Sequence, residues 1–139
     1  MSTLRTDYSI ERLHERQRGT LPDLLGVRVI ALEEGSLTAE LTVRSDLLAP
    51  NGFLHAATVI GLADTSCGYA CFAHLPPTAR NFTTIELKSN FLGTCTEGTI
   101  RGVAKSVHLG RTTQVWDATV SAPDGKTIAL FRCTQMVLY

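Results

Sequence analysis

The chain has 139 residues, enough to bury one hydrophobic core and too few for two domains of ordinary size, so a single domain over 1–139 is predicted. Its 13 basic and 13 acidic residues cancel to a formal net charge of zero. That balance excludes the basic footprint of a nucleic-acid binder and the polybasic patch of a protein held on an anionic membrane, and leaves any anionic ligand to a few placed cations.

Met1 to Thr6 is a polar stretch carrying Arg5, with no apolar run behind it. It does not read as a secretion signal, and a cytoplasmic location is expected. Ser9 to Arg18 sets Ile10 and Leu13 on one side among charges, which predicts a short amphipathic helix ended by Gly19 and Pro22. Residues 1–20 therefore read as an N-terminal helical extension. Leu25 to Ala31 and Leu37 to Val43 alternate as two strands joined through Glu33, Glu34 and Gly35.

From Leu54 to Leu75 the residues are small and apolar around the whole circumference, with Asp64 the one acid and no Lys or Arg. Such a helix is buried on all sides. Asp64, Thr58, Thr65 and Ser66 inside it, and the alternating strands after it, argue against a membrane span. Pro50, Asn51 and Gly52 make a turn before it, and Pro76 and Pro77 stop it. Four strand patterns follow: Phe82 to Leu92, Thr99 to Leu109, Arg111 to Ala122 and Thr127 to Leu138. In the first, Ile85, Leu87 and Phe91 alternate with Glu86, Lys88 and Asn90, the pattern of a strand with one buried face.

The predicted class is α+β: one long central helix wrapped by a curved antiparallel sheet, the hot-dog architecture. A single curved sheet leaves part of such a helix, and the sheet edges, to a partner, so an oligomer is expected. The four cysteines, at 67, 71, 95 and 133, have neither Cys-x-x-Cys nor zinc-type spacing, and no metal is expected. Cys67 and Cys71 read as small apolar packing groups.

An ionised carboxylate inside a buried helix is costly unless it is paired, solvated through a cleft, or functional. Asp64 is therefore the first catalytic candidate. The plainer alternative is a structural Asp bonded to Thr65 or Ser66. At the helix start, near Asn51, Gly52 and His55, free backbone N–H groups and the positive end of the helix dipole can polarise a carbonyl. An Asp that attacks the carbon or activates water would complete the needs of a thioester. His55 alone reads equally as a cap.

The run Gly52-Phe-Leu-His55-Ala-Ala-Thr-Val-Ile-Gly-Leu-Ala-Asp64-Thr resembles the G-x-x-H-G-G…(A/L)-D-T signature of the phenylacetate-degradation-type hot-dog thioesterases, within the 4-hydroxybenzoyl-coenzyme A thioesterase superfamily. Thr84 to Phe91 resembles that family's third strand, and His108-Leu-Gly110-Arg111 its following tight turn. The resemblance implies acyl-coenzyme A hydrolysis, with coenzyme A entering only as part of the substrate and no other cofactor. It implies Asp64 as nucleophile or general base, the Ala56 N–H as the donor to the thioester carbonyl, and Thr84 as a hydroxyl that orients water. It also implies a homodimer or homotetramer with active sites at the subunit interface.

The chain departs from the signature in two places. The Gly-Gly after the His is Ala56-Ala57 here. The family's Asn six residues before the His is Ala49, with Asn51 four before, which leaves open whether Asn51 orients substrate. Strand alternation sets Thr84 opposite Ile85, away from the core. Arg111, after Gly110, is the cation expected at a coenzyme A phosphate. Trp116, Phe131 and Phe91 are expected in the core. Two rivals stand: a hot-dog hydratase or dehydratase, which needs a His and an acid acting together, and a module that binds acyl-coenzyme A without turning it over.

Overall fold

The structure, a computed structural model, describes residues 3–139; the first two residues of the predicted extension lie outside that range. Helix α1 (Ile10–Gln17) begins where the Ser9 hydroxyl accepts from the Arg12 N–H at 3.2 Å. It turns Leu13 fully into the core, and its Gln17 side chain is tied to Val27 O and to the Tyr69 hydroxyl. A second helix, α2 (Leu21–Leu25), was not expected. Thr20 stands at its N-cap, Pro22 lies in its first turn where no N–H is needed, and Gly26 ends it at φ 78°. Leu25 is therefore helical and not the first residue of a strand.

Strands β1 (Arg28–Glu33) and β2 (Ser36–Thr42) form a hairpin through Glu34 and Gly35. A single 3-10 turn at Ser45–Leu47 leads to α3 (Ala56–Ala73), two residues shorter at each end than the apolar run. Leu54 instead forms an isolated bridge with Leu48. Then come β3 (Asn81–Phe91), β4 (Thr99–Leu109), β5 (Thr113–Ser121) and β6 (Thr127–Leu138). All six strands pair antiparallel in the order β1-β2-β4-β5-β6-β3. The curved sheet packs its inner face against α3 from β2 round to β3.

That inner face is read directly from the alternation. In β5 Gln114, Trp116, Ala118 and Val120 are buried and their neighbours are not. On the helix Leu62, Ala63, Cys67, Ala70 and Cys71 are fully buried. Each buried leucine contributes roughly 1.5–3 kcal/mol of transfer free energy. Trp116 and Phe131 take the core places expected of them.

Phe91 does not: it is 44% exposed, as are Ile85 at 53% and Leu87 at 42%. Strand β3 lies at the sheet's edge, and the face predicted to be buried is uncovered within one chain. A bulge at Ile85 also breaks the register, Thr84 pairing with Gln135 and Glu86 with Thr134. It sets Thr84 and Leu87 on the same, inward face, which corrects the expectation that Thr84 points away from the core.

His74, just past α3, pins the β1–β2 turn to the helix end. Its Nε2 accepts from the Gly35 N–H at 2.9 Å, and its Nδ1 lies 2.7 Å from Ala70 O, so the ring is neutral with its proton on Nδ1. Burial pulls its pKa below the ordinary 6.5. The unfolded chain therefore takes up a proton near pH 6.5 that the folded chain refuses, and this contribution to stability is present above that pH and lost as pH falls through it. Thermal unfolding of the wild type should show a falling midpoint below about pH 6.5, and the slope should be shallower in His74→Asn. Equal slopes would remove His74 from the acid response.

Candidate active site

Asp64 sits two turns into α3, half-buried, with Oδ1 buried and without a hydrogen-bond partner among the described residues. Ser66 does not serve it: that hydroxyl donates to Leu62 O at 2.7 Å. Burial raises the Asp64 pKa above its ordinary 3.8. The structural alternative therefore fails at its first requirement, a local partner for the carboxylate.

The surroundings of Asp64 are set by its own helix stripe. One turn on, the Cys67 thiol lies beside Cys133 of β6, and a Cβ on Gly68 would lie 3.2 Å from the Phe82 ring of β3. Strand β3 runs back along the helix, since its far end, Phe91, shares a groove with His55, Ala56 and Val59 at the helix start. On the inward face of β3 the Thr84 hydroxyl donates to Oε1 of the fully buried Gln135 at 2.6 Å.

At the helix start, His55 is the cap. Its Nδ1 accepts from the Ala57 N–H at 2.9 Å, and its carbonyl accepts from the Thr58 and Val59 N–H groups. The Ala56 N–H, first of the helix, is left without an acceptor among the described residues, exposed at the positive end of the dipole. Gly52 turns the chain into this site at φ 89°, a conformation that a side chain disfavours. The Asn51 Oδ1 accepts from the Phe53 N–H at 3.2 Å, so its oxygen is engaged in that turn while its side chain still borders the 430 Å³ groove of Ala56 and Phe91.

Ala56 and Asp64 are eight residues apart, about 12 Å along the axis, so one chain does not bring them together. His55 and Asp64 are further apart still, so one chain does not bring those two together. Arg111 lies elsewhere. With Gly110 it borders a groove of about 670 Å³ between the N-terminal segment, the end of α3 and the β4–β5 turn. Gly110 is required there, since a Cβ would come within 2.8 Å of Thr113 O. Arg111 is exposed, and its carbonyl accepts from the Tyr139 hydroxyl at 2.6 Å. No group of three or more His, Cys, Asp or Glu among the described residues is gathered to hold a metal ion.

A family model for the thioesterase superfamily matches residues 51–129, more than half of the chain, including the helix, Asp64 and strands β3 to β5. The chain belongs to the thioesterase superfamily. Its relatives agree over nearly its whole length. It is 34% identical over 138 residues to the putative esterase PA1618 of Pseudomonas aeruginosa, covering 99% of this chain and 95% of that protein. The crystal structure of a glutamine-to-alanine variant of PA1618 superposes with a TM-score of 0.93, covering 99% of both chains. The acyl-coenzyme A thioesterase PaaI of Escherichia coli is 31% identical over 109 residues, 78% of this chain and 75% of that one. The 1,4-dihydroxy-2-naphthoyl-CoA hydrolase of Listeria monocytogenes is 25% identical over 114 residues, 82% and 92% of the two. For this thioesterase the fold, the family resemblance and thioester hydrolysis as the class of reaction all hold as the sequence predicts. No helix among the described residues is long and apolar enough to cross a membrane.

The buried polar partner of Thr84 was missed. Gln135 stands on the apolar inward face of β6, between Cys133 and Val137. A lone amide in that alternation was the signal available.

Proposed function

We propose that this thioesterase hydrolyses acyl-coenzyme A to the free acid and coenzyme A, with Asp64 as the catalytic carboxylate. The observation that carries the reading is the half-buried carboxylate without a local partner, in a fold shared with thioester hydrolases. Two relatives are named for coenzyme A thioesters, which supports the leaving group. The Ala56 N–H holds the thioester oxygen as negative charge develops on it. Asp64 attacks the carbon directly or takes a proton from water. Hydroxide then adds to the carbon, the C–S bond breaks, and the thiolate leaves with the proton that Asp64 held.

The polarising donor and the carboxylate then come from two subunits, and the uncovered inward face of β3, with Leu87 and Phe91, is the apolar surface that a second copy of the chain covers. A homodimer is the smallest such assembly, and a homotetramer would be a pair of them. Four free cysteines suit a reducing, cytoplasmic compartment.

Arg111 and the groove beside it are assigned to a coenzyme A phosphate, which an Arg fork binds in bidentate fashion. Such a contact lies far from the carbonyl and holds ground and transition states alike, so Arg111→Ala should raise KM several-fold and change kcat less. If short thioesters that lack the nucleotide lose as much activity as the full substrate, the assignment is wrong. The reading as a whole is tested by incubating the purified protein with a panel of aromatic, medium-chain and long-chain acyl-coenzyme A esters and following free thiol. Steady release from at least one ester is expected; stoichiometric binding with every ester recovered intact would show a binding module.

A further inference from the structure

The start of α3 is tied down so that one backbone donor is left free. From Gly52 to Val59 there are eight consecutive N–H groups, and seven of them have acceptors. Five are bonded within the segment 49–59 itself. The two that reach outside it are His55, to Leu47 O at 3.2 Å, and Leu54, to the Thr94 hydroxyl oxygen at 3.2 Å. Leu47 O takes a second bond from the Thr58 hydroxyl at 2.9 Å. The Ala56 N–H alone has no acceptor among the described residues, and a complete count of the run is what isolates it.

Thr94 reaches the helix start from the other side of the fold. It stands on the loop between β3 and β4, and that loop is itself fastened to the sheet. The N–H groups of Leu92 and Gly93, just before Thr94, both donate to Ile128 O of β6, at 2.8 and 3.3 Å. A Cβ on Gly93 would lie 3.4 Å from the Ile128 side chain, so the loop runs close against that strand. Thr94 carries the tie onward to Leu54, two residues before Ala56, and all three border one groove. Leu47 O thus holds the entry to α3 from the 3-10 turn, and Thr94 holds it from the sheet. A donor that polarises a carbonyl is worth most when it needs no reorganisation as charge develops. A peptide run tied at only one side can tilt, and its free N–H tilts with it.

We propose that Thr94 is a positioning residue for hydrolysis: by accepting the Leu54 N–H it fixes the backbone that aims the Ala56 N–H at the thioester oxygen. Thr94 acts through that backbone and not on the substrate. The proposal rests on the reading of Ala56 given above.

The test uses the intact protein and a thioester that the wild type turns over, with kcat and KM measured separately and amide exchange followed by NMR. Thr94→Val keeps the shape of the side chain and removes the acceptor. Its kcat should fall about fivefold, the order of one ordinary hydrogen bond, with KM changed by less than about twofold. Thr94→Ser keeps the acceptor and should hold kcat within about twofold of wild type, a rescue that packing of the threonine methyl would not give. The Leu54 N–H should exchange slowly in the wild type and at least about tenfold faster in Thr94→Val, while the His55 N–H, bonded to Leu47 O, keeps its rate. Wild-type kcat in a folded Thr94→Val would overturn the proposal, as would a Leu54 N–H that exchanges no faster there. If Thr94→Val fails to fold, a folded Thr94→Ser with kcat down about fivefold, or a Leu54 N–H unprotected in the wild type, overturns it equally. Ala56→Pro is run beside them: full turnover there would sink the reading of Ala56 and the proposal with it. Loss in Ala56→Pro with no loss in Thr94→Val would sink the proposal alone.

Discussion

Asp64→Asn should cut turnover at least about a hundredfold on any thioester the wild type accepts, and should raise the melting temperature at neutral pH. The two effects have one cause. Burial without a local hydrogen-bond partner raises the pKa of Asp64, which means that the folded protein is strained by the charge it must carry to act. A carboxyl whose folded pKa lies above its unfolded value gives its full stability below the unfolded value and loses it as pH rises through the folded one. At neutral pH that contribution is gone from the wild type. Asparagine has no charge to bury, so the variant escapes the penalty, and its advantage should shrink as the pH is lowered through the folded pKa of Asp64. The same titration should set the acid limb of wild-type kcat/KM above pH 3.8, with activity rising as Asp64 ionises. Near-normal turnover in a folded Asp64→Asn would remove Asp64 from the mechanism. A lowered melting temperature with turnover lost would point to a structural carboxylate.

Sequence patterning reached the fold because its main elements carry strong, local signals. The bounds of β4 and β6 were read to the residue, since each is a long alternating run between turn residues. The long helix was visible from an apolar circumference that no surface helix can have, and Asp64 stood out against it. What was missed depends on contacts distant in sequence. The bulge at Ile85 exists only in the pairing of β3 with β6, some fifty residues on, and it alone decides which way Thr84 points. Gln135 reads as one polar residue in a strand, and its bond to Thr84 of β3 spans 51 residues of sequence. Phe91 read as core because its alternation is that of a buried face. That face is apolar, as expected, but the edge position of β3 leaves it for something other than this chain to cover. Short α2 was hidden by Pro22, taken as a stop and found in a first helical turn. The Arg111 groove is walled in part by the N-terminal segment, whose Arg5 N–H donates to Ala73 O at the end of α3, a contact that no local pattern announces.

Two inactive variants of this protein should recover activity when they are mixed. Asp64→Ala removes the carboxylate, and Ala56→Pro removes the donor N–H at the first position of α3, where proline keeps the helix. Within one chain these groups stand about 12 Å apart on one axis, too far to meet at a single thioester carbon. Two copies of α3 packed antiparallel across a two-fold axis bring Asp64 of one chain to the Ala56 end of the other, twice per dimer. Each homodimer of a variant then has two damaged sites. A mixed dimer gathers both lesions in one site and leaves the other with an intact carboxylate and an intact donor. Co-refolding equal amounts should therefore restore up to about one active site in four, a count that follows from random pairing under that symmetry. The most direct test of the account is thiol release by that mixture, with mixed dimers confirmed by mass: recovery toward a quarter of wild-type activity is the expected result, and mixed dimers as inactive as their parents would contradict it.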